Sequence, residues 1–182
     1  VAERWNVKLV DLNKDEFVMV KPPNPLSLMR VRVAKTALTS TLISVPKLKP
    51  HRMATVSLSL KNMMGALASK GSIHRGILSE NIVDLASVLK PSIAVIDGII
   101  AGEGHETSGN PVTMNLVIAG TDPVAVDAVG AAVMGISPTD VKHLVLAERK
   151  RLGTCNLKEI TVVGEPIEKV RKRFSRSLSS SL

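Results

Sequence analysis

Aromatic residues and cysteine are nearly missing from this sequence of 182 residues, which contains no tyrosine, two phenylalanines, one tryptophan and one cysteine. Because Cys155 is alone, the chain can form no intramolecular disulfide and cannot by itself ligate an iron–sulfur cluster or a zinc ribbon. The few aromatic rings argue against a module that stacks nucleic-acid bases on aromatic platforms. No stretch approaches about 18 consecutive apolar residues, so the sequence predicts no transmembrane helix.

The residues that are present predict one α/β domain. The apolar fraction is 45%, and it consists mainly of Val, Leu, Ile, Ala and Met, which is the composition of an aliphatic core. We place the domain at residues 1–166. The first residues, VAERWNVKLV, lack the blocks of a signal peptide, so we expect a cytoplasmic protein. Since the chain opens with Val and moves straight into a strand-like run, we also expect that an N-terminal portion is missing.

The net charge of +8 is concentrated at the C-terminal end of the chain. Five basic residues there have no acidic residue among them, so the rest of the chain carries about +3. They are Lys169, Arg171, Lys172, Arg173 and Arg176. We interpret residues 167–182 as a basic, serine-rich, disordered tail. The alternative is that the tail binds nucleic acid by tracking its phosphate backbone.

Apolar periodicity and turn residues predict strands that alternate with helices. Strands are predicted over residues 7–12, 17–20, 38–45, 92–97, 113–119 and 159–163, and helices over residues 79–89, 123–134 and 139–151. Residues 53–64 fit a strand or one face of a helix, with the strand favoured, and residues 98–110 are predicted as a glycine-rich loop. This order predicts a layered α/β fold with a mixed, partly parallel sheet flanked by helices.

Polar clusters follow three of the predicted strands. They are PKLKPH after Val45, DGIIAGEGHETSGN after Ile96, and GTDP after Ala119. In open α/β sheets the ligand crevice lies beyond the carboxyl ends of the strands. We therefore expect the three strand ends to converge on one site.

The stretch VPKLKPH carries cationic or proton-carrying groups at every second position. In an extended segment Lys47, Lys49 and His51 project to one side while Leu48 projects to the other, and the flanking prolines favour that form. Two ammonium groups about 6 to 7 Å apart suit a phosphate or a dicarboxylate, and the histidine could carry a proton. The alternative is a solvated strand end.

Other candidate residues lie near glycines. Lys61 and Asn62 precede Gly65, although a lysine in such a place is more often a surface residue. His74 lies in KGSIHRG, where it is either a proton carrier or surface. Asp97 is followed, among glycines, by Glu103, His105 and Glu106. This group of carboxylates and a histidine could bind a divalent metal or act as acid and base, although Glu-Gly-His-Glu has no fixed metal-ligand spacing.

Two aspartates lie at or in the apolar helix predicted over residues 123–134. Asp122 is the expected N-cap, with Pro123 at the first helical position. Asp127 lies one turn inside the helix, where a buried carboxylate needs a partner, either structural or within the site. His143 and Cys155 are expected to be structural.

Five stretches of the sequence, taken together and in order, resemble the domain of unknown function 362 family of bacteria and archaea. They are ISVPKLKPH, VSLSLKNMMGAL, SIHRG, IAVIDGIIAGEG and VIAGTDPVAVDAVGAAVMGISPTDVKHLVLAERKRLG, and they cover roughly residues 40–153. Many members are longer at the N-terminus and carry a ferredoxin-like segment with cysteine-ligated iron–sulfur clusters. This chain lacks those cysteines, so a redox role would require a second chain to supply the clusters.

The resemblance also bears on single residues. It implies that the polar positions of these motifs share one site, namely Lys47, Lys49, His51, Lys61, Asn62, His74, Asp97, Glu103, Asp122 and Asp127. A glycine–proline pair commonly follows the EG in the family, whereas this chain reads GHETSGNP, which leaves the function of that loop open.

Three hypotheses follow. The first is that the domain binds a small anionic metabolite or an unidentified cofactor at the strand ends. If the iron–sulfur relatives are a guide, the protein is a redox-associated enzyme. Its catalytic residues would be His51, His74 and Asp127, and its ligand-binding residues Lys47, Lys49, Lys61, Asn62, Asp97, Glu103 and Asp122. The second is nucleic-acid binding through the tail. The third is a structural subunit that docks onto an iron–sulfur protein or another subunit through the segment around Met63 and Met64.

Overall fold

The computed structural model of the protein describes residues 2–69, 71 and 77–175. The strands are β1 (Phe17–Val20), β2 (Val31–Ala34), β3 (Ile43–Ser44), β4 (Pro50–His51), β5 (Thr55–Val56), β6 (Ile93–Glu103) and β7 (Asn110–Gly120). The α-helices are α1 (Lys35–Thr39), α2 (Ser59–Asn62), α3 (Leu78–Val88), α4 (Pro123–Val133), α5 (Lys142–Arg149) and α6 (Ile167–Val170). Short 3-10 turns cover Glu3–Trp5, Met63–Ala66, Pro138–Asp140 and Leu157–Glu159.

The main sheet has β6 at its centre. β3 pairs with β6 in parallel, and β7 pairs with β6 in antiparallel register, with Asp97 opposite Val117. Two antiparallel ribbons, β1 with β2 and β4 with β5, complete the strands of the described residues. The predicted α/β fold with a mixed, partly parallel sheet is therefore confirmed.

The chain after β3 continues alongside β6 through main-chain hydrogen bonds. The amide of Asp97 donates to the carbonyl of Pro46, the amide of Leu48 donates to the carbonyl of Asp97, and the amide of Gly102 donates to the carbonyl of Leu48. Residues 46–48 therefore lie next to the second half of β6. This places the VPKLKPH stretch near the β6–β7 turn.

The predicted loop over residues 98–110 is mostly strand, and the prediction is wrong there. β6 runs on to Glu103, and the turn is confined to residues 104–109. Gly98 has a packing role, since a Cβ at this position would lie 2.6 Å from Leu116 Cδ1 and 3.1 Å from Leu116 O. Glycine at this position reflects close approach of the two strands, which the sequence pattern does not distinguish from a loop.

Three other predicted strands differ from the structure. Residues 7–12 and 159–163 form no strand, and residues 38–45 contain the end of α1 and the two-residue β3. The segment over residues 53–64 is short strand followed by helix, because the chain turns at β5 and starts α2 at Ser59. Each of these runs is apolar, but a strand forms only where a neighbouring strand is available for pairing, and periodicity does not show whether one is.

The core lies between the helices and the sheet. Helix α4 packs against β6 and β7 and also against α2 and α5. The small residues of α4 allow this close packing, since a Cβ on Gly130 would lie 2.9 Å from both Ile96 Cδ1 and Leu58 Cδ1. The largest fully buried apolar side chains are Leu48, Leu58, Leu60, Leu67, Ile82, Leu85, Leu89, Ile96, Met134 and Leu144.

A buried carboxylate on α3 fastens residues 26–28, which lie between β1 and β2, to the helices. Asp84 accepts hydrogen bonds from the amides of Leu26, Ser27 and Leu28 at 2.7 to 2.9 Å, and from Lys150 Nζ at 2.7 Å. Although burial opposes ionisation, the lysine and the three amides outweigh it and lower the pKa of Asp84. The carboxylate thus joins residues 26–28, α3 and the residue that follows α5.

Residues 167–175 lie against the end of α4. The amide of Lys172 donates to the carbonyl of Val133 at 2.9 Å, the amide of Phe174 donates to the carbonyl of Met134 at 3.1 Å, and the Phe174 ring is buried. This part of the expected tail is therefore packed on the body, and residues 176–182 lie outside the described residues. The division of the chain at residue 166 stays a prediction. Among the described residues, no helix is long and apolar enough to span a membrane.

Candidate functional site

The VPKLKPH stretch alternates as predicted between buried and outward-facing side chains up to Lys49, but its cations are not equivalent. Leu48 is fully buried, Lys47 is exposed and Lys49 is half-buried. Lys47 Nζ lies 2.5 Å from Asp97 Oδ2, which lowers the pKa of Asp97. The side chains of this pair are 44% and 36% exposed, so water screens the interaction. Lys47 and Asp97 therefore form a surface ion pair.

Lys49 and His51 lie against the loop between β6 and β7. Lys49 Nζ donates to the carbonyl oxygen of Glu106 at 2.8 Å. The Glu106 carboxylate is 3.7 Å from His51 Nε2 and accepts a hydrogen bond from the Arg52 amide at 3.4 Å. Burial opposes the ionisation of Glu106, but hydrogen bonds to backbone amides and the neighbouring His51 outweigh it and lower the pKa. The sequence predicts Glu106 as part of a metal or acid–base group in this loop, but it does not predict that Glu106 lies against His51.

Lys61 on α2 lies near Glu106 and Lys49. Burial lowers the pKa of Lys61, the Glu106 carboxylate opposes that change, and the Lys49 ammonium adds to it. Lys61 makes no hydrogen bond or ion pair with the residues that the structure describes. Glu106 therefore interacts with two lysines in a partly buried place, with Lys49 through its backbone carbonyl and with Lys61 through the charge of its carboxylate.

The hydrogen bonds of His51 determine where its proton lies. Nδ1 accepts the backbone amides of Met53 and Ala54, both at 3.1 Å, so this nitrogen carries no proton in the neutral ring. The proton is then on Nε2, which faces Glu106. In this tautomer the Nε2–H group of His51 is a hydrogen-bond donor that faces Glu106. The role of proton carrier, expected from the sequence, stays a prediction.

His143, which the sequence predicts to be structural, also lies near Lys61 and His51. It lies on α5, is fully buried, and neither ring nitrogen has a hydrogen-bond partner within the described part of the chain. Burial lowers the pKa of His143 to about 3, and Lys61 and His51 add to the effect. The sequence feature that indicates burial of His143 is the amphipathic pattern of its helix, in which Val141, Leu144 and Ala147 mark the buried face. We call Lys49, His51, Lys61, Glu106 and His143 the Glu106 cluster.

Asp127 holds the start of α2. Its carboxylate accepts the amides of Ser59 at 2.7 Å and Leu60 at 2.9 Å, and the side chain is fully buried. Burial raises the pKa of Asp127 to about 7, and the negative charge of Asp122 adds to the rise. The structure thus gives Asp127 a positioning role, since α2 carries Lys61.

The remaining predicted site residues lie in separate contacts. Asn62 Nδ2 donates to Ser44 Oγ at 3.2 Å, and Glu103 accepts hydrogen bonds from the amide and hydroxyl of Ser175. His105 Nδ1 lies 3.0 Å from Thr107 Oγ1. His74 lies outside the described residues. Within the part of the chain that the structure describes, no three His, Cys, Asp or Glu side chains gather at a spacing that could hold a metal ion.

The third predicted strand end lies apart from the other two. Since β7 runs antiparallel to β6, Gly120 is opposite Ala94 near the start of β6, whereas Glu103 is opposite Asn110 at the far end. Asp122 caps α4 by accepting the amides of Val124 and Ala125, as predicted. The expected convergence of all three strand ends is therefore wrong, and the cluster is built at one end of β6.

Two fully buried groups have opposite effects on the pH dependence of stability. Asp127, with its pKa raised from 3.8 to about 7, keeps a proton in the folded protein that the unfolded chain loses, so stability falls as pH rises between those values. His143, with its pKa lowered from 6.5 to about 3, lacks a proton that the unfolded chain binds, so stability rises with pH in that window. Each slope is about 1.4 kcal/mol per pH unit, and the two nearly cancel between about pH 5 and about pH 6.

We therefore expect the free energy of unfolding of the wild-type protein to change little between about pH 5 and about pH 6, measured by urea denaturation. The Asp127→Asn variant retains only the His143 effect, so its stability should rise by roughly 1 kcal/mol over that interval. The His143→Gln variant retains only the Asp127 effect and should show the opposite slope. Parallel profiles for the three proteins would contradict these assignments.

The fold and the cluster define an α/β domain with a group of opposite charges, partly buried, beside its central strand. The family model described as "Domain of unknown function (DUF362)" matches residues 1–132, and the chain belongs to this family. The family assignment agrees with the motifs of the sequence.

A curated relative is the "Thylakoid-associated protein sll1697" of Synechocystis sp., which is 28% identical over 133 residues. The aligned region covers 68% of this chain and 41% of the relative, so the chain spans less than half of that protein's length. No solved structure matches the chain. A cytoplasmic location therefore stays a prediction.

Proposed function

We propose that this domain binds a small anion at the Glu106 cluster. The observation that carries the proposal is the convergence of two ammonium groups on Glu106: Lys49 binds its backbone carbonyl oxygen, and Lys61 lies within electrostatic range of its carboxylate. Since His143 is neutral, the cluster holds one positive charge in excess when both lysines are protonated. A bound anion would neutralise that charge.

The partial burial of Lys61 favours such a ligand. A buried ammonium group without a paired counter-charge is costly, and the lowered pKa of Lys61 reflects that cost. An anion next to Lys61 would stabilise the charged form and supply the hydrogen-bond acceptor that the described residues do not provide.

Two neutral groups can complete the site. The Nε2–H group of His51 is a donor directed at the cluster, and the tautomer is fixed by the amides of Met53 and Ala54. The unpaired nitrogens of His143 are buried polar atoms of the kind that a ligand or a bound water satisfies. The cluster thus offers charge, a directed donor and an unsatisfied polar group.

The other hypotheses have less support. In the tail, Lys169 pairs with Glu165 at 2.6 Å and Lys172 Nζ donates to the carbonyl of Thr113, so two of the basic side chains already have partners within the protein. Met63 and Met64 are buried, so they are not the exposed docking surface of the third hypothesis. A redox-associated reaction stays a prediction that rests on the family resemblance. The pKa of the Cys155 thiol is raised to about 11, first by burial and second by the neighbouring Glu148 carboxylate.

The proposal is tested by calorimetric titration of the full chain with succinate and with inorganic phosphate, at neutral pH and constant ionic strength. A charge-assisted hydrogen bond contributes about 1.5 to 3 kcal/mol, so we expect Lys61→Met to weaken the binding of whichever anion the wild-type protein takes by at least about tenfold. Near-UV circular dichroism of the variant checks that the fold is retained.

The matched control is Lys47→Met on the neighbouring strand segment. Lys47 is neutralised by Asp97 and exposed to water, so its loss should change the affinity less than about threefold. Equal losses in the two variants would indicate unspecific attraction to the basic protein. If neither anion binds the wild-type protein, the Lys47→Met variant or a Glu106→Gln variant that lacks the neighbouring negative charge, the proposed function is wrong.

A further inference from the structure

The carboxylate of Glu106 already stands where an anion would bind. It is contributed by the turn over residues 104–109, and its side chain is 15% exposed. Its neighbours are the groups expected to recognise a ligand, namely Lys49, His51, the Arg52 amide and Lys61. The site is therefore occupied by an anionic group of the protein itself.

The contacts of this carboxylate are long. Its oxygens lie 3.4 Å from the Arg52 amide, 3.7 Å from His51 Nε2 and 4.0 Å from His105 Nε2. Charge-assisted hydrogen bonds are ordinarily about 2.7 to 2.9 Å. The structural carboxylates of Asp84 and Asp127 reach those distances, at 2.7 to 2.9 Å from their amide donors. Glu106 is therefore a loosely held occupant.

The main chain of the turn is held independently of the Glu106 side chain. Lys49 Nζ binds the carbonyl oxygen of Glu106, and Ser175 binds Glu103 and Gly104 at the base of the turn. Gly109 closes the turn, since a Cβ there would lie 2.1 Å from the carbonyl oxygen of Glu103. The side chain of Glu106 can thus leave the cluster while its backbone stays in place.

We propose that the ligand of this site is a small carboxylate, which displaces the side chain of Glu106, takes its place beside Lys61 and takes over its contacts with His51 and the Arg52 amide. This inference rests on the proposed function and adds the class of the ligand and an internal competitor. Glu106 acts as a built-in inhibitor that offsets one of the two lysine charges while no ligand is bound. The same groups that tolerate a carboxylate at 3.4 Å and beyond can bind a mobile one at shorter distances.

The test compares wild-type protein, Glu106→Gln and Glu103→Gln by calorimetric titration with succinate and with inorganic phosphate at constant ionic strength. Glutamine keeps the size of Glu106 and removes its charge, so we expect succinate to bind Glu106→Gln at least about tenfold more tightly than it binds the wild-type protein. Glu103→Gln removes a charge from the base of the same hairpin, where the carboxylate binds Ser175, and should leave the affinity within about twofold.

The outcomes separate the two proposals. Anion binding that is equal in the wild-type protein and Glu106→Gln would overturn the displacement inference and leave the proposed function standing. Tighter binding of phosphate but not of succinate by Glu106→Gln would overturn the choice of carboxylate. If neither anion binds any of the three folded proteins, the proposed function fails and this inference fails with it.

Discussion

Replacement of Asp84 by alanine is expected to lower the free energy of unfolding by about 3 to 5 kcal/mol, the cost of breaking a buried charge pair. The carboxylate accepts three consecutive amides, of Leu26, Ser27 and Leu28, and the ammonium group of Lys150. Its removal leaves the amides without acceptors and the side chain of Lys150, which is 13% exposed, without a counter-charge. Urea denaturation followed by circular dichroism measures the loss.

Two further variants separate the contributions at Asp84. Glu80 lies on the same helix and pairs with Lys142, but the lysine is 62% exposed, so Glu80→Ala should cost less than about 1 kcal/mol. The double variant Asp84→Ala with Lys150→Met removes the unpaired charge and should recover about 1 kcal/mol or more of the loss. A loss below about 1 kcal/mol for Asp84→Ala would show that residues 26–28 are not anchored by this carboxylate.

The second large effect is expected for Asp127→Ala, which should lower the free energy of unfolding by about 2 to 4 kcal/mol near pH 6. The change leaves the buried amides of Ser59 and Leu60 without acceptors. Near this pH the carboxyl group, with its pKa at about 7, is largely protonated, so little unfavourable charge burial is relieved by its removal. The measurement is again urea denaturation, at a pH where the two titrating groups offset each other.

Asp127→Ala should also weaken anion binding, because α2 carries Lys61 and loses its anchor. The matched control is Asp122→Ala, which removes a helix cap from α4 and should cost about 1 kcal/mol, with a smaller effect on the anion affinity. Full stability of Asp127→Ala would mean that the start of α2 is held by other groups.

Several parts of the fold could be predicted from local sequence. The cap at Asp122 with Pro123, the helix close to residues 79–89 and the alternation through Lys47, Leu48 and Lys49 all depend on neighbouring residues. The partly parallel sheet follows from the order of strands and helices. The cap, the helix and the alternation depend on residues close in the chain, so they can be predicted from a single sequence.

The Glu106 cluster could be predicted only in part. Lys49, His51 and Lys61 were identified because they stand in extended or glycine-flanked segments. Glu106 is predicted only as part of a metal or acid–base group in the loop, and His143 only as a structural residue, because their place depends on the length of the β6–β7 hairpin and on the packing of α5. The sequence pattern also hid the continuation of β6 beyond Gly98, since a glycine needed for close strand packing looks the same as a glycine in a loop.

The main-chain hydrogen bonds that join residues 46–48 to β6 determine which side chains of this segment can be substituted without moving its backbone. They use amides and carbonyls only, so they do not depend on which side chains residues 45, 47 and 49 carry. The buried Pro46, Leu48 and Pro50 keep the segment against the core. The side chain at position 49, which faces the Glu106 cluster, can therefore be exchanged while the backbone that presents it stays unchanged.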